Sequence, residues 1–293
     1  MLRWRILLGT GLIAALAALM VLDQRSSTPG AWLLVIAVAV GLAAAHELVT
    51  MLAAGGRHPL PGVIYGGTLL VIAANAAGTI WRPVGESHAL ERLAWPFMAF
   101  TVTLLAAFVG EMRRYEKPGG VMASVALAAL GVAYVGITLS FAVQLRLLGG
   151  PSDGIVALAA LVIVVKMGDS GAYTVGRLLG RHKMAPVLSP GKTWEGAAGA
   201  IVFACLGAWL AFHLLPRAMD HTLAQASWSW LVFALAVGIA GILGDLAESL
   251  VKRDAGRKDS STWLPGFGGV LDVMDSILFA APVAYFCWWL GMS

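Results

Sequence analysis

The sequence predicts an all-α, polytopic membrane protein, and three observations carry that prediction. Apolar residues make up 59% of the 293 and charged residues only 12%. An average soluble domain has roughly twice that charged share. Mean hydropathy is +0.82, more apolar surface than a compact water-soluble particle hides. The apolar residues gather into nine stretches, each close to the roughly 20 residues that a helix needs to cross a bilayer. Disorder is excluded by the same composition.

The first stretch covers residues 4–22, behind Arg3 and Arg5. It shares the charge and apolar core of a signal peptide. No convincing small-x-small cleavage site precedes the polar run from Asp23 to Gly30, so it is read as a retained helix. Stretches at 31–53, 63–81, 93–112 and 121–141 are mostly Leu, Ala and Val, with Glu47 near one end of the second. The sixth, 155–178, holds Lys166 and Asp169. The seventh, 194–215, follows a polar segment at 180–193. The eighth, 228–251, contains Asp245 and Glu248 near its end. The ninth, 270–290, starts with Asp272 and Asp275 and ends with Trp288 and Trp289, read as interfacial belt residues. The 35 glycines suit close helix packing.

Orientation follows from Lys and Arg, which favour cytoplasmic loops. With the N-terminus in the cytoplasm, 14 of the 20 Lys and Arg fall inside and five outside: Arg25, Arg82, Arg92, Arg146 and Arg217. Lys166 lies within a span. This frame puts the C-terminus outside. The net charge of +4 is what such a protein carries and implies no nucleic-acid partner. Cys205 and Cys287 sit in apolar runs and are read as small buried hydrophobes. The six histidines show no metal-ligand spacing and are read as structural.

Two regions are expected. Residues 1–150 form a scaffold of transmembrane helices and residues 151–293 a transmembrane catalytic region with cytoplasmic loops. The polar residues crowd into the second region as three clusters. One is Gly168-Asp169-Ser170-Gly171-Ala172-Tyr173. The next is Ser189-Pro190-Gly191-Lys192-Thr193-Trp194-Glu195-Gly196. The third runs from Gly244 and Asp245 through Ser249, Lys252, Arg253, Lys258 and Asp259 to Gly268, Gly269, Asp272 and Asp275.

Asp245, Ser249 and Lys252 are spaced i, i+4, i+7 and share a helix face. Asp272 and Asp275 are i, i+3 at a helix N-terminus, where the dipole tolerates anions. A lone carboxylate in a span still costs on the order of 2.5–3.5 kcal/mol on insertion scales. Three aspartates on two helices, Asp245, Asp272 and Asp275, are therefore read as ligands of a hard divalent cation. Oxygen donors without His or Cys point to magnesium. Lys192, Lys252, Arg253, Arg257 and Lys258 surround them, and glycine pairs expose backbone N–H groups. Carboxylates, cations and glycine loops together describe a site for a metal-bound polyphosphate. A P-loop is excluded at Gly191-Lys192-Thr193, because Pro186 stands where its first glycine belongs.

The run from Ser249 to Asp275 resembles the signature of the phosphatidate cytidylyltransferases, or CDP-diacylglycerol synthases. That signature reads S-x-apolar-K-R-x4-K-D-x-small-x2-apolar-P-x-H-G-G-apolar-x-D-R-apolar-D. Ser249, Lys252, Arg253, Lys258, Asp259, Ser261, Leu264, Pro265, Gly268, Gly269, Val270, Asp272, Met274 and Asp275 fall in register. Phe267 and Val273 depart from it, standing where the signature has His and Arg. The two upstream clusters resemble family motifs as well, and strong similarity covers residues 169–276. The N-terminal half is similar mainly in span layout, with Glu47 and the basic, proline-containing segment after the second stretch.

The resemblance implies transfer of CMP from CTP to phosphatidic acid, with magnesium, a second cation such as potassium, and a homodimer. It also implies a multi-pass protein of the cytoplasmic (inner) membrane with its site facing the cytoplasm. On this reading Asp245, Asp272, Lys252 and Lys258 are catalytic. Asp169, Ser189, Lys192, Thr193, Glu195, Ser249, Arg253, Asp259, Gly268 and Gly269 bind substrate. A related enzyme acting on a polyprenyl or archaeal lipid is the nearest alternative. A transporter would show polar interruptions in two repeated halves, whereas no internal repeat is seen here.

Overall fold

A computed structural model of the chain describes residues 2–77, 89–219 and 228–292. Each apolar stretch carries a helix. The first is α1 (Leu2–Arg25). Next come α2 (Ala31–Ala54), α3 (Pro61–Ala73) and α4 (Ala89–Arg113). The fifth, α5 (Val121–Arg146), contains a π-helical turn at Ala133–Ile137. Among the described residues seven helices are long and apolar enough to span a membrane, against the nine stretches expected. The chain is thus an all-α, multi-pass membrane protein. Helix α3 is shorter than the expected 63–81, and the remainder of that stretch from residue 78 lies outside the described residues, as do Arg82, His88 and His221.

Two compact units result, Met1–Gln144 with Asp254–Val273, and Leu145–Arg253 with Met274–Ser293. In the first, Asp23 closes the α1–α2 turn. Its buried carboxylate accepts from the N–H groups of Gly30 (3.0 Å) and Trp32 (3.3 Å). Helices α2, α3 and α4 approach closely through glycine. A Cβ at Gly41 would lie 2.3 Å from the Ile72 side chain, and one at Gly67 would lie 2.2 Å from that of Thr103. The buried Asn75 of this unit finds partners, as burial favours. Asn75 donates to Ser140 (2.9 Å) and accepts from Gln144 (2.9 Å).

The second unit is built on α6 (Pro151–Leu179) and α7 (Trp194–His213). Small residues let these backbones nearly touch. A Cβ on Gly171 would sit 2.6 Å from the Gly199 carbonyl oxygen, and one on Gly196 would sit 2.9 Å from that of Ala172. The segment between them, expected as a loop, is an antiparallel hairpin of β1 (Lys183–Ala185) and β2 (Ser189–Thr193), with Lys183 opposite Thr193 and Ala185 opposite Ser189. After the short α8 (Leu215–Ala218) come α9 (Ser229–Asp254) and α10 (Val270–Met292). Trp288 corrects an expectation. It is 1% exposed and packs on Phe212 and Phe233, with ring centroids 5.3 and 6.2 Å away. It is a core residue, because its helix face meets aromatic neighbours.

Candidate active site

In the second unit, α9 and α10 cross tightly at Gly244. A Cβ there would lie 2.7 Å from the Asp275 carbonyl oxygen and 2.9 Å from the Phe279 Cβ. That approach brings carboxylates together. Ligand oxygens of Asp245, Glu248 and Asp275 all lie within 4.8 Å of one another. Glu248 and Asp275 are buried and Asp245 is half-buried. Asp245 and Glu248 are i, i+3 on one face of α9, and Lys252 continues that face as the ion-pair partner of Glu248. Lys192 of β2 reaches Asp245 at 2.9 Å.

Asp169 of α6 lies on the same side. Lys166 donates to it at 3.0 Å and the Ser276 hydroxyl lies 3.4 Å away. Like-charged carboxylates at this spacing repel unless cations balance them. Lys166, Lys192 and Lys252 supply part of that balance.

The Ser189–Gly196 run divides its work. Thr193 is the N-cap of α7, its hydroxyl accepting from the Gly196 N–H at 3.1 Å. Glu195 clamps the base of the hairpin. It accepts from the N–H groups of Arg181 (3.1 Å) and His182 (3.2 Å) and lies 2.6 Å from the His182 ring nitrogen. Ser189 is half-buried on β2. The Arg253 Nε donates to the Leu188 carbonyl at 3.1 Å, tying the end of α9 to the hairpin. Ser249 is buried beside Glu248.

The first unit holds the segment that leads into α10. Glu47 of α2 is 1% exposed and accepts four hydrogen bonds. Its donors are the hydroxyls of Ser260 (2.9 Å) and Ser261 (2.6 Å) and the N–H groups of Val270 (2.9 Å) and Leu271 (2.8 Å). A carboxylate from another helix thus caps α10, satisfying donors that open every helix. His46, next to Glu47, stacks on Trp263 at 5.4 Å. The Asp272 Oδ2 lies 2.9 Å from the Ser260 N–H, 2.6 Å from the Ser260 hydroxyl and 2.7 Å from the Gly269 N–H.

The glycine pair has a steric reason here. Gly268 has φ +91°, and a Cβ on it would lie 2.4 Å from Asp272 Oδ2. A Cβ on Gly269 would lie 2.1 Å from the Ser260 hydroxyl and 2.4 Å from both Glu47 oxygens. Lys258 and Asp259 are exposed on the preceding loop. Phe267, the departure from the signature histidine, packs toward α1, its Cζ 3.6 Å from where a Cβ on Gly9 would be.

Asp245 and Asp275 therefore lie together with Glu248, whereas Asp272, the third aspartate read as a ligand, bonds instead to Ser260 and Gly269. Glu248 is not among the site residues expected from the sequence. Its signal was an acidic residue in an apolar helix, one turn from Asp245. Glu47 and Ser260 were also missed. For Glu47 the signal was a lone carboxylate in an otherwise Leu/Ala/Val helix.

Comparison with known proteins fits this picture. The Cytidylyltransferase family matches residues 3–290. A phosphatidate cytidylyltransferase of Staphylococcus epidermidis is 32% identical over 273 residues, 92% of this chain and 95% of that protein. One of Staphylococcus saprophyticus is 32% identical over 229 residues, covering 76% of this chain and 77% of its own. One of Haemophilus influenzae reaches 40% identity over 134 residues, 45% of each chain. A match that runs nearly end to end, over a chain whose buried carboxylates and lysines suit a polyphosphate, leaves one conclusion: the chain belongs to the cytidylyltransferase family.

Proposed function

We propose that the protein transfers CMP from CTP to phosphatidic acid, giving CDP-diacylglycerol and pyrophosphate for phospholipid synthesis. The observation that carries this reading is the close group of Asp245, Glu248 and Asp275 with Lys192 and Lys252 against it, in a chain of this family. A phosphate oxygen of phosphatidate attacks the α-phosphorus of CTP. The bond from that phosphorus to the bridging oxygen breaks, and pyrophosphate leaves. The nucleophile is already an anion, so catalysis rests on positioning and charge neutralisation.

The donor set fits magnesium, being three carboxylates with mutually close oxygens and no imidazole or thiolate. Asp245, Glu248 and Asp275 would hold the ion, and Asp272 keeps the catalytic role that the family resemblance implies. Bound there, it supplies charge neutralisation for the CTP phosphates and the leaving pyrophosphate. Lys192 and Lys252 offer point charges to the same phosphates, and Lys258 and Arg253 extend them along the loop. Asp169, Ser189, Ser249 and Asp259 contact substrate in this reading. Thr193 and Glu195 hold the hairpin that carries Lys192, and Gly268 and Gly269 let Asp272 close on its loop. The site faces the cytoplasm from the inner membrane, in keeping with the charge bias. A second cation such as potassium and a homodimer complete the proposal, the latter read by native mass spectrometry in detergent.

Purified protein incubated with α-labelled CTP, phosphatidate and magnesium tests it. Label should enter the lipid only when phosphatidate is present. Incorporation into a polyprenyl phosphate but not phosphatidate would assign the enzyme to another lipid.

A further inference from the structure

Ser260 joins two acidic residues that lie far apart in the chain, Glu47 and Asp272. The Ser260 hydroxyl is 2.9 Å from Glu47 Oε2 and 2.6 Å from Asp272 Oδ2. Ser260 is fully buried and Glu47 is 1% exposed, so their contact is shielded from bulk water, while Asp272 is half-buried. Glu47 also takes the first two N–H groups of α10, those of Val270 and Leu271. It therefore fixes both where α10 begins and where the carboxylate two residues into it points. Close packing leaves this clasp no slack. The Cβ of any residue replacing Gly269 would fall 2.4 Å from both Glu47 oxygens.

We infer that Glu47 is a positioning residue for the cytidylyl transfer, acting through Ser260 to set the Asp272 carboxylate. This rests on the proposed function and adds a residue of the N-terminal half to it. Glu47 touches no substrate in this scheme. Ser261 gives an internal control. Its hydroxyl also donates to Glu47, at 2.6 Å, whereas the hydroxyl that reaches Asp272 is that of Ser260. A merely structural clasp would weigh the two serines alike, whereas a positioning role singles out Ser260.

The experiment compares Glu47→Gln, Ser260→Ala and Ser261→Ala with the wild type, measuring kcat, the CTP KM and the melting midpoint in detergent. Wild-type turnover of phosphatidate comes first, and its failure would sink the proposed function rather than this inference. Loss of a charge-assisted contact commonly costs ten- to a hundredfold, roughly. Ser260→Ala should lower kcat by about tenfold or more, with a CTP KM near wild type and a midpoint lowered no further than in Ser261→Ala. Ser261→Ala should stay within a few-fold of wild type. Glu47→Gln should match Ser260→Ala in kcat, and the double variant should fall short of the product of the two losses. Equal effects of the two serine variants, or kcat losses that track the melting midpoint across the set, would overturn it. Should Glu47→Gln not fold, the serine pair alone decides.

Discussion

A carboxylate buried in an apolar helix must have something to balance it, and this chain puts three within 4.8 Å at one place. Asp245→Asn and Asp275→Asn each remove charge while keeping shape. Both should insert normally and lose turnover by a hundredfold or more, in keeping with the roughly 2.7–4 kcal/mol that preorganised charge contributes to a transition state. Wild-type turnover of Asp245→Asn at limiting magnesium would withdraw the metal assignment. The lysines separate binding from chemistry. Lys192 already meets Asp245 at 2.9 Å and is expected to hold CTP in ground and transition states alike. Its Gln variant should raise the CTP KM about tenfold and spare kcat. Lys258 lies exposed on the loop before Asp272, so Lys258→Gln should lower kcat instead by stabilising the departing pyrophosphate less. Unchanged CTP kinetics in both would reduce these lysines to topological anchors. Asp245 and Asp275 were legible in the sequence because an acid in a span carries a cost that names itself. Glu248 was not, since spacing alone does not say whether Lys252 is its sole partner. Glu47 was not, because its donors lie 213 to 224 residues further along the chain.

Helix packing sets the next level. The α6–α7 contact depends on absent side chains: a Cβ on Gly199 would fall 2.5 Å from the Val175 Cβ and 2.9 Å from the Gly171 carbonyl. Gly199→Val should destabilise the protein by about 1–3 kcal/mol through overpacking, seen as a lower melting midpoint. Gly66→Ala, whose new methyl would meet nothing within 4 Å, should leave the midpoint unchanged or slightly raised. The helices themselves were plain from apolar length. The hairpin was hidden because strands of three and five residues, the second interrupted by Pro190 and Gly191, carry no alternating pattern. Trp288 misled because its place near a helix end suits a membrane interface, while the rings that bury it, Phe212 and Phe233, come from other helices.

The whole molecule makes sense as an enzyme only if its polar end meets the compartment that holds CTP. Single cysteines placed on a Cys205→Ala, Cys287→Ala background should report this. Val187→Cys on the hairpin, at a position 89% exposed, and Thr262→Cys should label only from the cytoplasm. Ser27→Cys, in the α1–α2 turn, should label from outside. The reverse pattern would cut the site off from its nucleotide. The clasp at Glu47 has a consequence for how the protein is made. Its donors begin 213 residues later in the chain, which at ordinary translation speeds is a delay of roughly ten to forty seconds. During that interval α2 carries a carboxylate with no Ser260, Ser261 or α10 to receive it. An incomplete or C-terminally truncated chain therefore lacks the four donors that this carboxylate has in the finished fold. Arrival of the final loop brings those donors, so the α2 carboxylate is satisfied only once the chain is nearly complete.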